Sequence, residues 1–232
     1  MDIVCHEHIL RQPLAIAKGR KLLYRTGAAF VSARLGISPI PPISKGQLFT
    51  GDSKSEGGLI IAGSYVPKTT AQLKILVDRS GSNLCTVTLD VEDLLEGKDV
   101  LASALKIAET EVTKGRDVLV MTSRKLITGA DERASLDIGS LVARTLVDFL
   151  QRFNKQIRPR YVIAKGGITS SDMATKGLNI KRALIVGQAS KGVPLWRCDE
   201  ESCKYPGLPY VVFPGNVGSE EALYELVRDW KM

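Results

Sequence analysis

The stretch Tyr161-Val162-Ile163-Ala164-Lys165-Gly166-Gly167-Ile168-Thr169-Ser170-Ser171 decides how this chain folds. Its first four residues form an apolar run of the kind that makes a buried strand. Paired glycines and three hydroxyl residues follow, and then Asp172 to Leu178, which reads as a short helix. Strand, glycine turn and helix in that order present backbone N–H groups and a helix start to an anion. Glycine lets a phosphate approach the main chain, while Thr169, Ser170 and Ser171 are placed to cap the helix or donate to oxygen. Lys165 would set a positive charge beside that phosphate. A second turn of this kind, Pro214-Gly215-Asn216-Val217-Gly218, follows the apolar run Tyr210 to Phe213. Two such turns suggest one nucleotide-sized ligand gripped from two sides. Neither turn has the spacing of a Walker A loop, and the chain contains no G-x-G-x-x-G.

The same alternation extends outward in both directions. Apolar strands are expected at Leu59–Ala62, Leu84–Leu89, Val118–Met121 and Ala183–Val186. Helices are expected at Thr69–Arg79, Asp99–Lys114, Leu136–Phe153 and Ser219–Lys231, the last capped by Ser219. Strands alternating with amphipathic helices predict an α/β fold, a three-layer sandwich with a largely parallel, Rossmann-like sheet. Ligands of such sheets collect at the carboxyl ends of the strands. Small and hydroxyl residues gather at five expected strand ends: Gly63-Ser64, Thr122-Ser123-Arg124, Gly166 to Thr169, Gly187, and Gly215-Asn216.

The amino-terminal quarter reads differently. A helix over 7–18 interrupted near Pro13, a short strand over 21–24 and a helix over 27–35 are expected there. Three prolines and then glycines and serines give residues 36–57 a linker composition. The expected domains are therefore 1–35, a linker over 36–57, and 58–232.

Composition narrows the function classes. At 232 residues, 44% apolar and 25% charged, the chain can bury a sizeable core. No run approaches the roughly 18 apolar residues of a membrane span. The first residues lack the basic and apolar regions of a signal peptide, so a cytoplasmic location and no membrane partner are expected. Four cysteines are too few and scattered for a disulfide framework. Cys198 and Cys203 would need two further ligands to hold zinc, so no metal site is expected from side chains. The net charge is +7, with six basic against two acidic residues in positions 1–35. A solvated face is the ordinary source of such a cluster. Aromatic residues do not interleave with it, and no nucleic-acid partner is expected.

The ordered set Ala62-Gly63-Ser64, Thr122-Ser123-Arg124, Lys165-Gly166-Gly167-Ile168-Thr169-Ser170, Val186-Gly187 with Gly192-Val193-Pro194, and Pro214-Gly215-Asn216-Val217-Gly218 resembles the four-carbon acid sugar kinase family. The likeness is to its C-terminal nucleotide-binding domain and runs from about residue 57 to the end. Arg20 to Arg34 resembles the last segment of its N-terminal, substrate-binding domain. The resemblance implies an ATP- and Mg²⁺-dependent kinase that phosphorylates the terminal hydroxyl of a four-carbon sugar acid such as threonate, erythronate or an oxo-tetronate. Carried over by residue, it implies that Ser64, Gly166, Gly167, Ile168, Thr169 and Gly215 contact ATP. The chain departs from the family pattern at Val66, often serine there, and at Ile168, often acidic.

The family's N-terminal domain opens with an Asp-Asp-x-Thr-Gly motif, and this chain has no Asp-Asp pair. The catalytic residues are therefore unassigned. The expectation is the nucleotide half of a split or longer kinase, partnered in cis or in trans by the missing substrate domain. Such modules occur fused to aldolase and dehydrogenase domains, and a homo-oligomer fits the reading equally. The alternative is a non-catalytic nucleotide-binding or regulatory module.

Overall fold

The computed structural model describes residues 23, 25–26, 28–38, 40–49, 56–125, 127–198 and 201–231. The helix expected over 7–18 lies outside them, as does the strand over 21–24 apart from Leu23. The chain forms two compact units, Met1–Pro41 and Pro42–Met232. The first contains α1 (Ala28–Arg34). In the second, α2 (Lys45–Leu48) comes first, inside the stretch read as a linker. Its residues pack because the apolar ones find sites. Ile43 N donates to Gln188 O at 2.8 Å, Leu48 is buried, and the Phe49 ring meets Trp230 edge-on at 5.8 Å.

The elements then alternate: β1 (Leu59–Ala62), α3 (Pro67–Ser80), β2 (Leu84–Leu89), α4 (Val91–Leu95), α5 (Leu101–Thr113), β3 (Asp117–Thr122), α6 (Glu132–Arg152) and β4 (Val162–Lys165). After β4 come α7 (Gly167–Asp172), which runs on as a π-helical turn over Met173–Gly177, then β5 (Ala183–Ser190), β6 (Val193–Cys198), β7 (Pro209–Phe213) and α8 (Ala222–Trp230). Aspartates start three of the helices: Asp90 accepts from Glu92 N and Asp93 N, Asp99 from Leu101 N and Ala102 N, and Asp131 from Ala134 N. Each satisfies donors that a helix start leaves open.

The seven strands form one sheet in the order β2-β3-β1-β4-β7-β6-β5. The first five are parallel, and β6 and β5 are added antiparallel. Alternation in β1 feeds both faces. Leu59 and Ile61 join the core under α5 and α6, while Ile60 and Ala62 join the core under α3 and α8. Helices on both faces of a mostly parallel sheet make the expected three-layer α/β, Rossmann-like fold.

Three expectations are corrected and one strand is added. The helix after the glycine turn begins at Gly167 rather than Asp172. Gly187 lies within the antiparallel edge strand β5, opposite Leu195, and so not at a carboxyl end of the parallel strands. The strand β6 went unread because Pro194 breaks its pattern; the pairing shifts register beside it, between Gln188 and Ser190, and so accommodates the missing donor. Ser219 does not cap the last helix, whose cap position is Glu221; the Ser219 carbonyl accepts from Ala222 N instead.

After β1 the chain turns to the α3 face, and after β4 to the opposite face, where Met173 and Ala174 enter the other core. Adjacent parallel strands that leave the sheet on opposite sides open a crevice between their carboxyl ends. The candidate site lies in that crevice.

Candidate functional site

A cleft of about 640 Å³ occupies the carboxyl ends of β1, β4 and β7. Ser64, Gly166, Gly167, Ile168, Thr169 and Gly215, the six residues implied by the resemblance, all line it. Three turns from distant parts of the sequence thus meet because their strands are sheet neighbours.

The first turn is set by Gly166. Its φ of +112° suits glycine, and a Cβ there would approach Ser64 Cβ to 3.1 Å. Its N–H donates to Phe213 O at 2.8 Å, so the turn is tied to β7. A Cβ at Gly167 would meet nothing within 4 Å, because that face of the residue opens on the cleft. The N–H groups of Gly167, Ile168 and Thr169 have no protein partner among the described residues; the ladder of α7 begins with Ser170 N to Gly166 O. The hydroxyls do less than expected. Ser170 is buried and donates to Ala164 O and Gly166 O at 2.7 and 2.6 Å, so it braces the turn from behind. No side chain caps α7.

The second turn is held by its carbonyls. Lys165 Nζ donates to Pro214 O at 2.6 Å, Thr69 Oγ1 to Gly215 O at 3.1 Å, and Gln72 Nε2 to Val217 O and Ser219 O at 3.0 and 2.6 Å. Lys68 Nζ reaches Gly218 O at 3.3 Å. The N–H groups of Gly215 to Gly218 have no protein partner among the described residues. Thr69 and Gln72 were not singled out from sequence; their signal is a polar pair three apart on an amphipathic helix that should turn one face inward.

Lys165 is fully buried, contrary to an ordinary lysine at a strand end. Burial, and then the charge of Lys68, pull its ammonium down to about 8 from the usual 10.5. Its Nζ also lies 4.4 Å from the centre of the Phe213 ring.

From β3, Arg124 reaches over Ser64. Its Nη2 donates to Ser64 O at 2.5 Å and to Thr70 Oγ1 at 2.7 Å, and its guanidinium lies 5.1 Å from the Tyr65 ring centre. Its Nε and Nη1 are buried with no hydrogen-bond partner among the described residues. Ser123 is occupied structurally, its Oγ accepting from Val91 N. The remaining wall is apolar and was not expected: Gly139, Val142, Ala143 and Leu146 of α6 face Ile168, which is 78% exposed. Among the described residues, no Asp or Glu lines the cleft and there is no group of three or more metal-ligating side chains. Cys198 and Cys203 are buried and form no disulfide among the described residues.

Residues 59–223 match the family model of a nucleotide-binding C-terminal domain. The chain belongs to that family. This is the domain that the resemblance to four-carbon acid sugar kinases implied. Solved structures of similar fold include a Bordetella bronchiseptica protein described as a domain of unknown function, with bound citrate, in a domain-swapped dimer. It is 20% identical with a TM-score of 0.58, over 76% of this chain and 42% of that one. A Haemophilus influenzae protein of that same domain family is 19% identical with a TM-score of 0.59, over 88% of this chain and 46% of that one. A Salmonella typhimurium LT2 protein carrying the provisional name tRNA synthase is 17% identical with a TM-score of 0.62, over 100% of this chain and 52% of that one. The nucleotide-binding domain therefore spans about half the length of these relatives. No curated protein matches it. No helix among the described residues is long and apolar enough to cross a membrane.

Proposed function

We propose that the cleft takes ATP and that the chain is the nucleotide-binding part of a kinase acting on the terminal hydroxyl of a four-carbon sugar acid. The observation that carries the reading is the pairing of two glycine turns with unpartnered N–H groups around Ser64, one of them with open space at Gly167. Membership of the nucleotide-binding family supports it. The apolar wall of α6 with Ile168 suits a base, and the N–H groups of Gly167 to Thr169 and Gly215 to Gly218 suit phosphate oxygens. Bound ATP would supply the phosphoryl group. This chain's own part is to hold the phosphates in fixed geometry with backbone donors, braced by Ser170, Lys165, Thr69 and Gln72. The described lining residues offer Mg²⁺ neutral side-chain oxygens, from Ser64, Tyr65, Thr169 and Asn216, so the ion would be held chiefly by the phosphates and water.

Phosphoryl transfer also requires an oriented acceptor and a group to take its proton. The lining supplies no carboxylate for this, so the catalytic residues belong with the substrate-binding domain. The absence of a cleft carboxylate among the described residues also favours a second reading, a nucleotide-binding regulatory module. Calorimetric titration with Mg·ATP and Mg·ADP tests the first claim. Absence of binding overturns both readings, whereas binding without turnover, even when a substrate domain is supplied, selects the regulatory one.

A further inference from the structure

Opposite the glycine turns, at the amino ends of β4 and β7, three arginines converge on one cavity. We propose that this cavity, walled by Arg158, Arg160 and Arg197, is a second site, which binds a compact anion bearing phosphate or paired carboxylates. Its volume is about 400 Å³, room for a small metabolite. Arg160 is 2% exposed in its side chain and pairs through Nη2 with Asp117 Oδ1 at 3.2 Å. Its Nε is buried with no partner among the described residues, and so is the Nε of Arg197. Arg158 and Arg197 form no ion pair with any described residue. Glu56 is the one carboxylate among the described residues on the wall.

Gathering three permanent cations with so little countercharge is costly, and it leaves buried donors unsatisfied. An oxyanion offsets both costs, because the guanidinium fork matches carboxylate and phosphate oxygens. The fork is also held in place. Arg160 lies between the rings of Phe49 and Tyr161, 5.9 and 5.5 Å from their centres. Gly58 N, donating to Asp117 Oδ1 at 2.6 Å, fixes the carboxylate that orients it. The site is separate from the cleft. Residues 160 and 166 flank the two ends of β4, up to roughly 20 Å apart for six residues of extended chain. A ligand here would therefore occupy the protein together with nucleotide rather than in its place, which is the arrangement of an effector site.

Titrations of inorganic phosphate and, separately, malonate into the ¹⁵N-labelled chain test this, read at the arginine Nε–H resonances and matched for ionic strength with chloride. The Arg160 and Arg197 signals are expected to shift saturably. Arg158→Gln with Arg197→Gln should weaken the anion at least tenfold, and Gly167→Val should leave it unchanged. The lysine pair, Arg158→Lys with Arg197→Lys, keeps the charge and protects against misfolding; loss of the fork should still weaken binding several-fold. Tighter phosphate identifies a phosphorylated ligand, and tighter malonate a polycarboxylate. Equal shifts with chloride, equal affinity in the glutamine and lysine pairs and the parent, or loss confined to Gly167→Val would each overturn the proposal.

Discussion

Lys165 Nζ donates to the carbonyl oxygen of Pro214 at 2.6 Å, joining the end of β4 to the turn that follows β7. The bond lies beside the backbone bond from Gly166 N to Phe213 O. The two glycine turns are thus one framework, stiffened by a buried cation whose charge stands close behind the donors proposed for phosphate.

That charge makes binding pH-dependent. The Lys165 ammonium loses its proton near pH 8 in the folded chain, against 10.5 ordinarily. Below about pH 8 both folded and unfolded chains hold the proton, and the burial cost is fully present. Between about 8 and 10.5 the unfolded chain binds more protons, so stability should rise with pH across that window. Anion binding works the other way, since it favours the charged amine. Nucleotide affinity is expected to fall as pH rises through about 8, with proton uptake on binding near that pH. Calorimetry at pH 8 in buffers of different ionisation heat would measure the uptake, and Lys165→Met should abolish it. Equal affinity at pH 7 and pH 9 would show that Lys165 does not sense the ligand.

Gly167→Val should reduce Mg·ATP affinity by tenfold or more while leaving the thermal midpoint nearly unchanged. The space a side chain would enter is empty of protein atoms, so the clash falls on the ligand. Ser171→Ala, at an exposed position, should alter affinity little. Equal affinities for the parent and Gly167→Val would sink the assignment of this turn as a phosphate cradle.

Much of this architecture is legible in the sequence because it rests on local signals. The four-residue run Leu59–Ala62 and the six-residue run Leu84–Leu89 declare themselves as strands. The glycines of the cleft stand out because they interrupt apolar runs. What is not legible depends on tertiary partners. Lys165 reads as a charge set directly beside phosphate, yet it is buried and donates to the carbonyl of Pro214, 49 residues away. Ser170 reads as a ligand donor, and two carbonyls of its own turn occupy it. Val193–Cys198 hides as a strand because Pro194 breaks its pattern, and its pairing depends on neighbours on both sides. The apolar wall of α6 carries no motif at all; it reaches the cleft because Leu146 packs close to Gly63, just past the end of β1.

Arg124 is expected to matter for the phosphates and not for the base. It holds Ser64 O and Thr70 Oγ1, and two further buried nitrogens have no partner among the described residues. Arg124→Met should weaken ATP several-fold and leave adenosine binding unchanged, as competition titrations would measure. A parallel loss for both ligands would assign Arg124 to general packing of the Tyr65 segment.

Lys204 gives a test of the scaffold. Its Nζ donates to Leu150 O, Gln151 O and Phe153 O at the end of α6, at 2.8, 2.8 and 2.5 Å. A cation there satisfies carbonyls that a helix end leaves open and meets the negative end of its dipole. Lys204→Met should cost about 1.5–3 kcal/mol, the range for hydrogen bonds to a charged group. Denaturant unfolding would measure it; a change below about 0.5 kcal/mol, the size of an ordinary surface substitution, would mean that water replaces the lysine without loss.

The last prediction separates binding from chemistry. The 232-residue chain should bind Mg·ATP and yet release no ADP in the presence of threonate, erythronate or their oxo derivatives. Binding needs the glycine turns and their braces, which the domain holds in one framework. Transfer needs the acceptor hydroxyl aligned with the γ-phosphate and a group to take its proton, and no carboxylate among the described residues lines the cleft. Alignment of reactants is worth about 7–11 kcal/mol, far more than tighter nucleotide binding could replace. Supplying a substrate-binding domain from a four-carbon acid sugar kinase, fused or as a separate chain, should restore ADP release coupled to phosphorylation of the acid. Sugar-acid-dependent turnover by the chain alone would place the proton acceptor within these residues and reject the division of labour between the two domains.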